Sequence, residues 1–148
     1  MKSVLLDTFP LVKFFKDESG SKDVEIILDK IEKKKIKGFI STITISELFY
    51  IFARYKSEDF AKAIIKHIRT SNLKIINLDD KIAEIAGEFK FKYTKGEKKG
   101  LPISDALIAA TAFINNIILI CDEEDYFKIK EIKIETPSQF VSKILNND

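Results

Sequence analysis

Four acidic positions, far apart in the chain, have neighbours that argue against simple solvated carboxylates. Asp105 lies in the stretch Gly100–Ala112, and its same-face positions at helical spacing are Leu101, Ile108, Ala109 and Ala112. A carboxylate on such a stripe loses hydration and stays charged only beside a hydrogen-bonded partner or a cation. Asp7 closes the apolar run Val4-Leu5-Leu6. Glu47 shares a mainly apolar helical face with Ile43, Tyr50, Ile51 and Arg54. The cluster Asp122-Glu123-Glu124-Asp125 follows the unbroken run Ile117-Ile118-Leu119-Ile120-Cys121. Taken alone, Glu47 reads better as an amphipathic edge position or an arginine's partner. Asp105 alone reads equally as a partner of its helix dipole. Gathered in one place, the four would repel one another unless a cation neutralised them. An all-oxygen set without His or Cys suits hard cations, so magnesium or manganese is expected rather than zinc. Ions so held bind phosphate oxygens, activate a water and stabilise a departing oxyanion. The chemistry expected is phosphodiester hydrolysis.

The elements that must position these acids follow from the apolar pattern. Val4–Leu6, Phe39-Ile40, Leu73–Asn77 and Ile117–Cys121 are short continuous apolar runs, the pattern of strands buried on both faces. Between them lie helical stripes: Pro10 to Phe15, Lys22 to Ile31, the Glu47 segment, Asp59 to Arg69, and Asp79-Asp80 onward to Phe89. Ser41-Thr42-Ile43-Thr44 supplies hydroxyls to cap the Glu47 helix. Lys33-Lys34-Lys35 and Gly38 read as a basic last turn and a glycine stop, favoured over a nucleic-acid patch because lysines complement a helix C-terminus. Gly87 inside a helix predicts close packing against it. A short edge strand within 129–135 and a helix over 137–145 complete the chain. Alternating strands and helices predict an α/β fold with a mainly parallel sheet and helices on both faces, as one domain over residues 1–148. In such sheets ligands bind beyond the carboxyl ends of the strands, where strand order reverses. Asp7 and Asp122-Glu123 end strands, and Glu47 and Asp105 are expected in the first turns of helices on that same edge.

Composition removes several alternatives. The 25 Lys and Arg against 23 Asp and Glu leave a net charge of +2, so nucleic-acid binding has to rest on local patches. Lys90, Lys92, Lys95, Lys98 and Lys99 make one such patch just before the Asp105 helix, although an ordinary solvated loop has the same composition. The lone Cys121 excludes an internal disulfide and a cysteine zinc site. The lone His67, with no marked nucleophile near it, leaves a Ser-His-Asp triad without support. There is no glycine-rich phosphate loop. No run approaches the roughly 20 apolar residues of a membrane span, and Asp7 falls too early for a signal peptide, so a cytoplasmic protein is expected.

Four segments, in order, resemble the acidic motifs of PIN-domain proteins. They are Leu5-Leu6-Asp7-Thr8, Ser41-Thr42-Ile43-Thr44-Ile45-Ser46-Glu47, Ser104-Asp105-Ala106-Leu107-Ile108-Ala109-Ala110 and Leu119-Ile120-Cys121-Asp122-Glu123. The likeness is to VapC-type toxins and covers essentially the whole chain. It implies a three-layer α/β/α sandwich with a sheet of about five strands. It further implies a Mg²⁺- or Mn²⁺-dependent endoribonuclease of a toxin–antitoxin pair, acting on RNA, often dimeric, and blocked by a small cognate antitoxin. By position, Asp7, Glu47 and Asp105 would be metal ligands, with Thr8 supporting the first of them. Two departures stand out. Phe9 replaces the small polar residue that usually follows Asp-Thr, and Cys121 replaces the Thr of the fourth motif. Counting from Cys121 gives Glu123 the fourth ligand place, with Asp122 as the alternative and Asp125 two residues further on. Strand alternation keeps Asp122 and Glu123 from both facing the pocket.

Two other readings share parts of this pattern. A nuclease of the same fold in RNA or DNA processing needs no antitoxin. A non-catalytic magnesium-binding module of the phosphoacceptor type also carries acids at strand ends, but the order it requires, an acidic pair early, one acceptor Asp midway and a late Lys on a strand end, is not found here.

Overall fold

Each short apolar run becomes a parallel strand, and each helical stripe covers one of the sheet's two faces. The computed structural model describes residues 1–94, 96, 100–122 and 124–147, apart from the side chains of Glu124 and Asp125. In chain order the elements are β1 (Ser3–Leu6), α1 (Thr8–Lys16), α2 (Ser21–Glu32), β2 (Lys37–Ser41), α3 (Thr42–Tyr55), α4 (Glu58–Thr70) and β3 (Lys74–Ile76). Then follow α5 (Asp80–Thr94), α6 (Ile103–Asn115), β4 (Ile118–Ile120), a 3₁₀ turn (Glu124–Lys128), β5 (Ile134–Glu135) and α7 (Pro137–Asn146). The sheet order is β3-β2-β1-β4-β5, and every neighbouring pair is parallel. The chain builds outward from β1 to β3, then returns to the other side of β1 with β4. Strand order therefore reverses between β1 and β4.

Period-two alternation divides the core into two layers. Val4, Leu6, Ile40 and Ile120 pack with Leu11, Ile27, Leu48, Ile64 and Phe140 on the face covered by α1–α4 and α7. Leu5 and Leu119 point the other way, into Ile82, Phe89, Ala106 and Ala109 of α5 and α6. Caps set the helix starts. Ser41 Oγ accepts from the Ile43 amide at 3.2 Å, Ser57 Oγ from Phe60 at 3.0 Å, and Thr136 and Gln139 form a reciprocal capping box. No helix among the described residues is long and apolar enough to cross a membrane.

Two glycines behave differently from the sequence expectation. The α2 helix stops not at Gly38 but at Lys34, which takes the left-handed conformation (φ 58°) usually left to glycine. Gly38 lies inside β2, where a Cβ would collide with the Ile31 side chain and press on Leu73. Gly87 permits no close packing: a Cβ there would meet nothing within 4 Å.

Candidate active site

The strand-order reversal places the ends of β1 and β4 side by side, and the Asp7 amide extends their ladder by donating to the Ile120 carbonyl at 3.0 Å. Asp7 then leads into α1 without capping it. Its buried carboxylate turns instead toward Tyr126, whose hydroxyl lies 3.0 Å from Asp7 Oδ1. The same hydroxyl lies 3.1 Å from Oδ1 of Asp105, in the first turn of α6. Asp105 is there because Ile108, Ala109 and Ala112, on its own stripe, are buried, as is Leu101. Two carboxylates far apart in the sequence thus sit within reach of a single hydroxyl. A phenol carries one proton, so it serves only one of them at a time.

Tyr126 is itself fully buried in the α5/α6 layer. Burial first, then the charges of Asp7 and Asp105 and the hydrogen bonds to them, push its phenol far above the ordinary value of 10.0. It is a neutral donor throughout the physiological range.

Glu47 joins the site through α1. Thr8 Oγ1 lies 2.7 Å from Glu47 Oε1 and 3.2 Å from Thr44 Oγ1. Thr8 has one proton, and the shorter contact to the charged acceptor takes it. Glu47 stands in the second turn of α3 rather than the first, because the helix already begins at Thr42. Asp122 follows β4, but its Oδ2 forms an ion pair with Lys13 Nζ at 3.1 Å, across from α1. Glu123 and the side chain of Asp125 lie outside the described residues.

Of the basic stretch before α6, Lys90 donates to the Leu101 carbonyl at 2.7 Å and Lys92 pairs with Glu131 at 3.0 Å. Both hold the fold together; Lys95, Lys98 and Lys99 are not among the described residues. His67 packs edge-on against Phe15, with centroids 5.9 Å apart.

Sequence reasoning brought Asp7, Glu47 and Asp105 to one edge but missed Tyr126 and Lys13. Neither carried a local signal: the burial of Tyr126, which makes its hydroxyl need a partner, is set by distant elements. Cys121, at the place of the fourth motif's threonine, is buried. The hydroxyl that does reach the acid pair comes from Tyr126.

Among the described residues, no three His, Cys, Asp or Glu side chains converge closely enough to form a metal cage. The donor set still fits a hard cation, because magnesium keeps several waters and is commonly held by one or two carboxylates plus substrate phosphate. Asp7 and Asp105, each with an oxygen near the Tyr126 hydroxyl, would supply two such carboxylates.

A family model described as the PIN domain matches residues 4–132. The chain belongs to the PIN-domain family. This PIN domain is 30% identical over 122 residues to the protein named ribonuclease VapC2 of Methanocaldococcus jannaschii, covering 74% of this chain and 78% of that one. Among solved structures it is similar to a toxin–antitoxin complex from Klebsiella pneumoniae, at 27% identity and a TM-score of 0.65, covering 90% of this chain and 97% of the other. The DNA-bound VapBC of Salmonella typhimurium shares the fold at 18% identity and a TM-score of 0.74, covering 93% of this chain and 99% of that one. The five-stranded parallel sheet between helical layers is the PIN arrangement, with the acid pair at its strand-order reversal.

Proposed function

We propose that this PIN domain is a metal-dependent endoribonuclease and the toxin of a type II toxin–antitoxin pair, hydrolysing RNA phosphodiester bonds. The observation that carries the reading is the convergence of Asp7 and Asp105 on the Tyr126 hydroxyl at the carboxyl edge of the sheet. These two carboxylates would hold Mg²⁺ or Mn²⁺, with Glu47 beside them and Glu123 as the proposed fourth acid. Asp122 is the alternative, at the cost of its bond to Lys13. A hard cation at this place supplies charge neutralisation for the phosphate and a more acidic bound water. The chain's own groups do the positioning. Tyr126 keeps the two aspartates together, and Thr8 fixes one oxygen of Glu47 so that the carboxylate faces the pocket in a single orientation. The names of the relatives support an antitoxin as partner and RNA as substrate; the proposed partner is small and the proposed place of action is the cytoplasm.

The test is cleavage of RNA with Mg²⁺ or Mn²⁺ by the wild type and by Asp105→Asn. Losing one electrostatic ligand is expected to lower the rate by about 10²-fold or more. Equal cleavage by the variant removes Asp105 from the mechanism.

A further inference from the structure

The edge of the sheet opposite the acids collects lysines from separate elements. Lys2 precedes β1, Lys37 opens β2, Lys74 opens β3, and Lys34 and Lys35 form the turn into β2. Strand register sets them side by side: Ser3 pairs with Lys37, the Lys37 amide donates to the Lys2 carbonyl at 2.9 Å, and Phe39 pairs with Lys74. Neighbouring strands are only ~4.8 Å apart, so the ammonium groups crowd one edge. All five lysines are exposed, and none forms an ion pair with a carboxylate among the described residues. The adjacent Lys33, by contrast, is bound to Asp29 at 2.8 Å. Lys2 lies 5.7 Å from the Phe140 ring centroid, a contact that leaves its charge in place. With a net charge of only +2 for the whole chain, this local excess is segregated and not a general property of the surface.

The same edge is concave. A cleft of about 390 Å³ is bordered by Lys34, Lys37 and Lys74, and a second of about 330 Å³ by Lys2 and Lys35. The recessed Ile36 is common to both. The chain also keeps a lysine at position 34, in a left-handed conformation where glycine is the low-cost residue.

We infer that this edge is an anchoring groove for the sugar-phosphate backbone of an unpaired RNA segment, a second contact outside the catalytic pocket. Phosphates meet the lysines, and the sugars lie against the recessed isoleucine. The identity of the polyanion rests on the ribonuclease reading. Along β1 the groove and Asp7 are ~16 Å apart, so the anchored segment is not the one being cut. A flat lipid surface suits the two clefts poorly, and a membrane-binding element would present an apolar helix face instead.

The test measures binding of a long unstructured RNA across a salt series in EDTA, so that no metal takes part and the RNA stays intact. The quadruple variant Lys34→Gln/Lys35→Gln/Lys37→Gln/Lys74→Gln is compared with an equally charged control, Lys22→Gln/Lys62→Gln/Lys66→Gln/Lys81→Gln. Each lost phosphate contact on a single strand lowers the slope of log affinity against log salt by about 0.7, so the groove variant is expected to lose about 3. Its low-salt affinity falls at least about tenfold, while the control slope changes by less than about 1. Equal effects in both variants, or none in the groove variant, overturn the inference. So does binding of the wild type to phosphatidylserine vesicles that the groove variant loses while its RNA binding is unchanged. Because the readout is metal-free binding, it stands or falls separately from the cleavage test on Asp105.

Discussion

At the scale of single residues, one hydroxyl organises the site. Tyr126 gives Asp7 and Asp105 a common donor, and its own neutrality is enforced by burial and by the two charges it serves. Replacing it by Phe removes that donor from two carboxylates that repel each other. The expected cost is about 1.5–3 kcal/mol in urea unfolding with EDTA present, what a hydrogen bond to a charged group contributes. Saturating Mn²⁺ is expected to recover part of this, because a cation then neutralises the same oxygens. An identical loss with and without metal would make the hydroxyl a packing device only. This residue was hidden in the sequence for a physical reason. Its partners lie 119 and 21 positions away, and nothing local in Glu124-Asp125-Tyr126-Phe127 shows which way a ring turns. Asp7 and Asp105 could be singled out because one closes an apolar run and the other lies on an apolar stripe, although Asp105 alone read equally as a partner of its helix dipole. Lys13 was not singled out, because only the placement of Asp122 beside it gives it a role.

At the scale of elements, the helices and strands were largely readable and their ends were not. Lys34 takes the stop expected of Gly38, because Gly38 is needed where β2 passes the Ile31 and Leu73 side chains. Gly38→Ala is therefore expected to destabilise the protein by about 1–3 kcal/mol through overpacking. Gly87→Ala, with open space at the Cβ and a helical backbone, should do the reverse and stabilise by roughly 0.5–1 kcal/mol. Paired thermal melts of the two variants test both signs, and a destabilising Gly87→Ala would contradict the open site. The end of α5 is tied to the segment before β5 by Glu131, which accepts from both Lys92 and Tyr93. Burial alone would raise this carboxyl, but the hydrogen bonds from Tyr93 and Lys92, with the Lys92 charge, hold it below its ordinary value of 4.5. A lowered folded-state pKa stabilises above the unfolded value, and that stabilisation is lost as pH falls through the folded one. The stability gap between wild type and Glu131→Gln should thus be widest near neutral pH and close on acidification below the carboxylate range. A gap that does not change with pH would show that the tether's charge contributes nothing.

At the scale of the whole molecule, the alternation of buried runs and amphipathic stretches was enough to predict a parallel sheet between two helical layers. The reversal of strand order, which decides where the acids meet, needed the registry β3-β2-β1-β4-β5 itself. Charge is sorted along that sheet, with carboxylates at one edge and, at the other, lysines that form no ion pair among the described residues. The central strand is also the first one made. Asp7 enters the growing chain well ahead of β4 and Tyr126, the groups that close the pocket around it, which come more than a hundred residues later. Chains emerge from the ribosome N-terminus first, at about 5–20 residues per second. A nascent chain therefore carries the first acid for several seconds before it can own a pocket. The fold delays the enzyme's competence until Tyr126 has been made, and a ribosome-bound chain arrested ahead of Tyr126 should cleave no RNA.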